Sequence, residues 1–307
     1  MTSSSDFALK PQPRAFSRRG WVVLGVVVLA ALALLALILR FYDAEGGIRV
    51  TGGVGAAEQA GLIATIEPRS VDPRLGEATV VLSFAWQAPA IGEDDTMLAN
   101  TRITVITSQG VQQGTYDSGD PVGQVEVTLG LDGEEAAYPF DSHSGLMAIS
   151  AESFVVADDG TETVTGSVPI GLLADGGVSG WNTAMDLGSG LAPDQLATVT
   201  YDRSFSTQVF AMLLLVLSII IALCAIVAGV LVGTNRRRVE ATMLSWVAAL
   251  LFALPLLRNY MPGSPPVGAA IDVYVYLWVI VVAVAALILF VYGWSMQGRA
   301  ALRDVRG

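Results

Sequence analysis

Titratable chemistry in this chain is sparse. Its single histidine, His143, follows Asp141 by two positions in Tyr138-Pro139-Phe140-Asp141-Ser142-His143. A carboxylate beside an imidazole is the smallest set that can pass a proton, so Asp141 and His143 form a candidate titrating pair. The stronger expectation is structural. Tyr138 and Phe140 flank a rigid proline and enter a core, while Asp141 accepts hydrogen bonds from a neighbouring loop. A Ser-His-Asp triad or a histidine zinc site has at most one imidazole to draw on. Glu93-Asp94-Asp95 and Asp158-Asp159 lack the spacing of a calcium loop and read as solvated hairpin tips. The one cysteine, Cys224, lies in an apolar run, which leaves no disulfide and no thiolate metal site. No P-loop, G-x-G-x-x-G after a strand, H-E-x-x-H or G-x-S-x-G occurs. No catalytic, cofactor-binding or metal-ligating residue is assigned, no cofactor is expected, and the chain reads as non-enzymatic.

Two further sets of residues carry physical content. Arg258 and Asp272 bracket a Pro/Gly-rich loop that contains Pro262, Gly263, Pro265, Pro266 and Gly268. An arginine at a helix C-terminus and an aspartate at the next helix N-terminus both suit the helix dipoles. The two are expected to approach each other or to share a loop carbonyl. Ala225, Gly229 and Gly233 recur every four residues and put small side chains on one helix face, where another helix can approach closely. The default partner is a helix of the same chain.

These residues sit on a membrane scaffold. A spanning helix needs about 20 mostly apolar residues. Residues 21–40, 208–233, 241–258 and 272–294 meet that requirement and lack the alternation of barrel strands. Pro255 lies near the end of the third, where a membrane helix tolerates it. Residues 21–40 read as an uncleaved signal anchor, because the apolar stretch exceeds a signal h-region and no small-residue cleavage site follows.

Charge sets the orientation. Residues 42–205 hold 24 acidic and five basic residues, a net of −19, whereas the rest holds 12 basic and four acidic, a net of +8. The basic residues cluster around Lys10, Arg14, Arg18 and Arg19, at Arg236-Arg237-Arg238, and at Arg299, Arg303 and Arg306. By the positive-inside rule these three clusters face the cytoplasm. The expected order is a cytoplasmic tail (1–20), first span (21–40), linker (41–60), extracytoplasmic domain (61–205), second span (208–233), cytoplasmic loop (234–240), third span (241–258), outer loop (259–271), fourth span (272–294) and cytoplasmic tail (295–307). The location is the plasma (inner) membrane, with 42–205 outside. Tyr274, Tyr276 and Trp278 would form an outer aromatic belt, and Tyr292 and Trp294 an inner one.

The exterior domain changes to a period of two. Val80, Leu82, Phe84 and Trp86 line one strand face, and Val125, Val127, Leu129 and Leu131 another. The stretch 102–107 is rich in β-branched residues and strand-like, and 146–150, 163–170 and 197–201 are weaker strands. Turn signals separate them, so an antiparallel β-sandwich is expected.

Tyr138-Pro139-Phe140-Asp141, Leu257-Arg258-Asn259 and Pro262-Gly263-Ser264-Pro265-Pro266-Val267-Gly268 ahead of Asp272 resemble the bacterial membrane-protein family DUF4436. The resemblance covers about residues 32–294. It implies one anchor helix, a β-rich exterior domain and three closing helices, and it implies no activity. The Tyr138–Asp141 segment, with a strand at Arg203 running into a helix, more distantly resembles the exterior domain of pentameric ligand-gated channels. That family places all its spans after the exterior domain, and its animal members carry a cysteine shortly after the motif aspartate. Here one span precedes the domain, and Gly145 stands in that neighbourhood.

The partners expected are the lipid bilayer and a membrane or envelope protein, with a homo-oligomer left open. Nucleic acid is disfavoured by the acidic exterior. The role expected is a non-enzymatic binding or accessory subunit of a membrane complex. The alternative is a sensor or channel-like oligomer gated through the exterior domain.

Overall fold

Alternating apolar residues build two packed sheets. The computed structural model describes residues 47–52, 60–87, 99–120, 123–188 and 194–304, with scattered helical positions between 22 and 40. The span expected at 21–40 as a whole, the tail before it, and Glu93-Asp94-Asp95 lie outside the described residues. Residues 1–44 form one unit and 45–307 another, and the second holds every strand and long helix described here.

Its strands are β1 (Ile48–Thr51), β2 (Leu62–Asp72), β3 (Glu77–Trp86), β4 (Asn100–Thr107), β5 (Gly110–Tyr116), β6 (Gln124–Gly130), β7 (Asp132–Gly133), β8 (Ser142–Val156), β9 (Glu162–Ser167), β10 (Ile170–Ala174), β11 (Trp181–Asp186) and β12 (Asp194–Arg203). One sheet runs β1-β11-β12-β8-β4-β5, with β7 and β9 also on β8; the other runs β10-β2-β3-β6. Val80 and Leu82 of β3, Val127 and Leu129 of β6, and Leu62 and Ile66 of β2 pack on Met147 and Ile149 of β8 and Val199 and Tyr201 of β12. The period of two that marks β3 and β6 in the sequence is the period of their burial.

The sandwich is mixed, which corrects the antiparallel expectation. β1 lies parallel to β11, and β10 parallel to β2. Both additions are at sheet edges, and alternation reports which face is buried without reporting strand direction. The stretch 163–170 is two strands, because Pro169 offers no N–H to a ladder. Its carbonyl instead accepts from the N–H groups of Gly61 and Leu62, at 3.0 and 3.2 Å.

β12 passes into helix α1 (Phe205–Gly233) with only Ser204 between them. Ser204 caps that helix by accepting from the Thr207 N–H. Helix α2 (Ala241–Asn259) contains Pro255, and a π-helical turn at Asp272–Tyr276 opens α3 (Leu277–Asp304). Among the described residues, three segments are long and apolar enough to cross a membrane: Phe205–Gly233, Thr242–Asn259 and Asp272–Gly298, with mean hydropathies of 3.2, 1.4 and 2.8. Much of their apolar surface faces outward, as at Phe252, Val227 and Ile288. Such a continuous exposed apolar face is unstable in water.

Gly229 lies against α3, where an added Cβ would stand 3.1 Å from the Ala286 carbonyl oxygen, and Gly233 lies beside Leu289. Ala225 is buried. The small-residue face thus includes an intramolecular contact with α3. Gly293 of α3 meets Val232 still more closely from the opposite side, an added Cβ standing 2.6 Å from Val232 Cγ1, a contact with no four-residue repeat to announce it. Tyr274 of the π-helical turn and Trp278, Tyr292 and Trp294 of α3 are exposed.

Candidate functional site

Strand alternation and register assemble a buried polar cluster where the first sheet meets the helices. Tyr201 pairs with His143 on one side and Thr183 on the other. Two residues along each strand, on the same inward face, lie Arg203 at the end of β12, Trp181 at the start of β11, and Asp141 just before β8. Asp141, His143 and Arg203 are 2%, 2% and 5% exposed, so the charges of Asp141 and Arg203 must be answered within the protein.

They are. Arg203 Nε donates to both oxygens of Asp141, at 3.1 and 3.2 Å. The guanidinium carbon stands 4.0 Å from the Trp181 ring centre and 5.2 Å from that of Tyr138, a cation held between two aromatic faces. His143 Nε2 lies 2.9 Å from Asp141 Oδ2. An ionised carboxylate only accepts, so this contact assigns the proton to Nε2. Trp181 sits edge-on to His143, with ring centres 5.9 Å apart. Burial alone would raise the Asp141 carboxyl, but the hydrogen bond from His143 and the charge of Arg203 prevail and hold it below the usual carboxylate range.

Tyr138 carries the cluster onto the helical part. Its ring is buried with Ala211 and Leu215 of α1 and with Met261, Ala269 and Ile271 around the α2–α3 loop. Its hydroxyl donates to the Pro262 carbonyl at 2.9 Å. Burial pushes the phenol up to about 12, despite the nearby Arg203 charge. Gly263, next along, has φ +70°, and a Cβ there would collide with the Arg203 guanidinium. The Tyr138-Pro139 peptide is cis. Phe140 is 63% exposed, which corrects the expectation that it enters a core. A one-turn 3-10 helix at Glu135–Ala137 precedes the segment and breaks the strand alternation that would have sent both aromatics the same way.

A second arginine clasps the same loop. Arg258 Nε and Nη2 donate to the two oxygens of Asp272, at 3.1 and 2.7 Å, and Nη2 also donates to the Pro266 carbonyl at 2.8 Å. The Gly268 N–H donates to Asp272 Oδ2 at 2.9 Å. The pair approaches directly and also engages a loop carbonyl. Gly268 has φ +96°, a conformation that glycine adopts without Cβ strain. Pro265 lies within the same loop, between Gly263 and Pro266.

From the sequence, Asp141 is expected to accept from a neighbouring loop, with the Asp141–His143 pair as the lesser reading, and Arg258 to approach Asp272; the bonds to Asp141 come instead from His143 of β8 and Arg203 of β12, and Arg258 does meet Asp272. Sequence reasoning missed Arg203 and Trp181 as members of the first cluster. The available signal was an arginine two positions past an inward-facing tyrosine, on a strand that leads straight into an apolar helix. Among the described residues, no three His, Cys, Asp or Glu gather as a metal site. Chemically, the cluster is a desolvated ion pair flanked by aromatics. It joins β8, β11 and β12 to the α2–α3 loop.

Residues 52–201 match the family described as Domain of unknown function (DUF4436), and residues 203–297 match Domain of unknown function (DUF8686). The extent expected for the first family is thus divided. Tyr138-Pro139-Phe140-Asp141 falls in the first match, while Arg258 through Asp272 falls in the second. The boundary runs beside Arg203, through the cluster itself. No curated protein matches the chain.

Proposed function

Starting from a chain that carries a DUF4436 domain joined to a DUF8686 domain, we propose that it is a multi-pass protein of the plasma membrane with four spans, residues 21–40 being the first. Both termini face the cytoplasm and 42–205 lies outside. The exterior β-domain serves as a non-enzymatic binding or accessory element of a larger membrane complex. The observation that carries this reading is the Asp141–Arg203 joint. It fixes the β-domain on the helices through desolvated charge, so a ligand or partner held by the sheets is held in a set orientation above the bilayer. The arginine clusters and the exposed aromatic residues of α3 support the topology.

The test is purification of the tagged native protein in mild detergent, with identification of what accompanies it. A stoichiometric membrane or envelope protein is expected. Recovery as a lone species whose soluble β-domain cleaves a sugar would overturn the reading. An impermeant label that reached the Arg236–Arg238 turn from outside intact cells would overturn the topology.

One observation favours a second reading, a sensor or channel-like oligomer. Arg203 ends the strand that becomes α1, and Gly263 of the α2–α3 loop lies against its guanidinium, so a shift in the sheet reaches two helical elements at once. A symmetric oligomer with a water-lined path along α1 is the expected sign of that reading, and a monomer in detergent counts against it.

A further inference from the structure

An open groove of about 510 Å³ runs along α1 and closes against α2 and the turn between them. That volume falls within the roughly 300–1,000 Å³ of ligand pockets. Its wall is a helical stripe that includes Ile220, Leu223, Val227 and Leu231, with Met243 opposite and Arg237 at one end. Ile220, Leu223 and Val227 are each more than half exposed, so their side chains face outward. From 220 to 231 a helix rises about 17 Å, close to half of a hydrocarbon core about 30 Å thick. The groove is therefore one leaflet deep, apolar along its length and cationic at its mouth.

The mouth is ordered. The Gln297 side-chain amide donates to the Arg237 carbonyl at 2.9 Å, and its oxygen accepts from the Val239 N–H at 2.9 Å. The turn backbone is thus tied to α3, which sets where the Arg237 side chain begins. Among the described residues, no carboxylate forms an ion pair with Arg236, Arg237 or Arg238.

We propose that this groove is a binding site for an anionic phospholipid of the leaflet on the Arg236–Arg238 side. One acyl chain lies along the Ile220–Leu231 stripe and the phosphate pairs with Arg237. The inference rests on the membrane reading given above and goes beyond it by naming the ligand class. A zwitterionic lipid offers the same chain but sets its own cation beside Arg237, so the site distinguishes headgroups by charge.

The only cysteine, Cys224, also lines the groove and is exposed, which gives a reporter position in the full-length protein. A bimane fluorophore on Cys224 is titrated in phosphatidylcholine vesicles with phosphatidylglycerol brominated on its acyl chains, or with brominated phosphatidylcholine. The brominated anionic lipid is expected to quench at about fivefold lower mole fraction, the effect of one cationic side chain at an anionic lipid surface. Arg237→Gln removes that preference, Arg237→Lys keeps most of it, and Arg236→Gln keeps it all. Equal quenching by both lipids in the wild type would show ordinary annular lipid and overturn the proposal. So would an equal loss in Arg236→Gln and Arg237→Gln, which would indicate diffuse surface charge. Absence of quenching by either lipid, in a protein that resists alkaline extraction, would show the groove filled by protein; the site would fall and the membrane reading would stand. Extraction of the protein from the vesicles would remove both.

Discussion

The two arginine–aspartate pairs of this protein differ in distance along the chain and in depth. Asp141 and Arg203 stand 62 positions apart, with side chains 1% and 4% exposed. Arg258 and Asp272 stand 14 apart, with side chains 11% and 16% exposed. The first pair joins a strand end to the turn before another strand, and its two members fall in different family matches. The second closes the loop in which it lies. A local pair mainly shapes a turn, whereas a long-range buried pair makes two regions fold as one. A buried pair also costs far more when halved than it contributes when whole, because the survivor is left without water or partner.

The largest effect expected follows from that asymmetry. Asp141→Ala leaves Arg203 uncompensated and should cost about 3–5 kcal/mol, read as a fall in thermal midpoint of the purified protein in detergent. Adding Arg203→Met to it should recover most of the loss, since an apolar replacement of a whole buried pair is often near neutral. If the double variant were no better than the single, the joint would not be the unit described here.

Substitution of Gly263 comes next. Gly263→Ala combines a positive φ with a collision against Arg203 and should cost about 1–3 kcal/mol. Gly268→Ala meets only backbone strain, with open space around it, and should cost about 1 kcal/mol. Equal losses at the two glycines would erase the distinction between the Arg203 joint and the Arg258 clasp. Asp272→Asn, with Arg258 still partly solvated, should cost about 1–2 kcal/mol. Its sharper signature is faster amide exchange at Gly268, with the β-domain amides unchanged.

The acid limb of stability isolates Asp141 from Asp272 by genotype. Asp141 is held below its ordinary value in the folded protein. Its ionised form therefore contributes fully above the ordinary carboxylate pKa of about 3.9, and the contribution is lost as pH falls toward the folded value. The thermal midpoint should drop below about pH 4, and Asp141→Asn should flatten that part of the drop while lowering the plateau. The smallest effect expected is at Tyr138→Phe, which deletes the bond to Pro262 and should cost about 0.5–1.5 kcal/mol. It also leaves the Pro262 carbonyl to find another donor.

The contrast between the pairs also explains what could be read from the sequence. Arg258 and Asp272 flank one proline-rich loop between two apolar runs, so helix dipoles and a short connection bring them together without any knowledge of tertiary structure. β3 and β6 were legible for a similar reason, since each carries its own alternation. Arg203 was not, because its partner depends on the register of β12 against β8, which is set by the sheet as a whole. β11 reads Trp-Asn-Thr-Ala-Met-Asp, polar enough to pass for a loop, and its inward face holds Trp181, Thr183 and Met185 only because the sheet needs a neighbour for β12. β8 changes partners along its 15 residues, from β7 and β12 to β4 and β9, and no local period encodes such a succession. Phe140 erred for the opposite reason: a pattern that looked local was interrupted by the turn before it.

Ser204 has a mechanical corollary. With one residue between β12 and α1, the sheet and the helix meet almost without slack, and the Ser204 cap and the Thr207–Gly180 bond leave little room for a swivel. A load that tips the β-domain therefore becomes torque on α1. Inserting two or three glycines after Ser204 would turn this rigid shaft into a universal joint, and any role that depends on orientation should disappear while each half still folds.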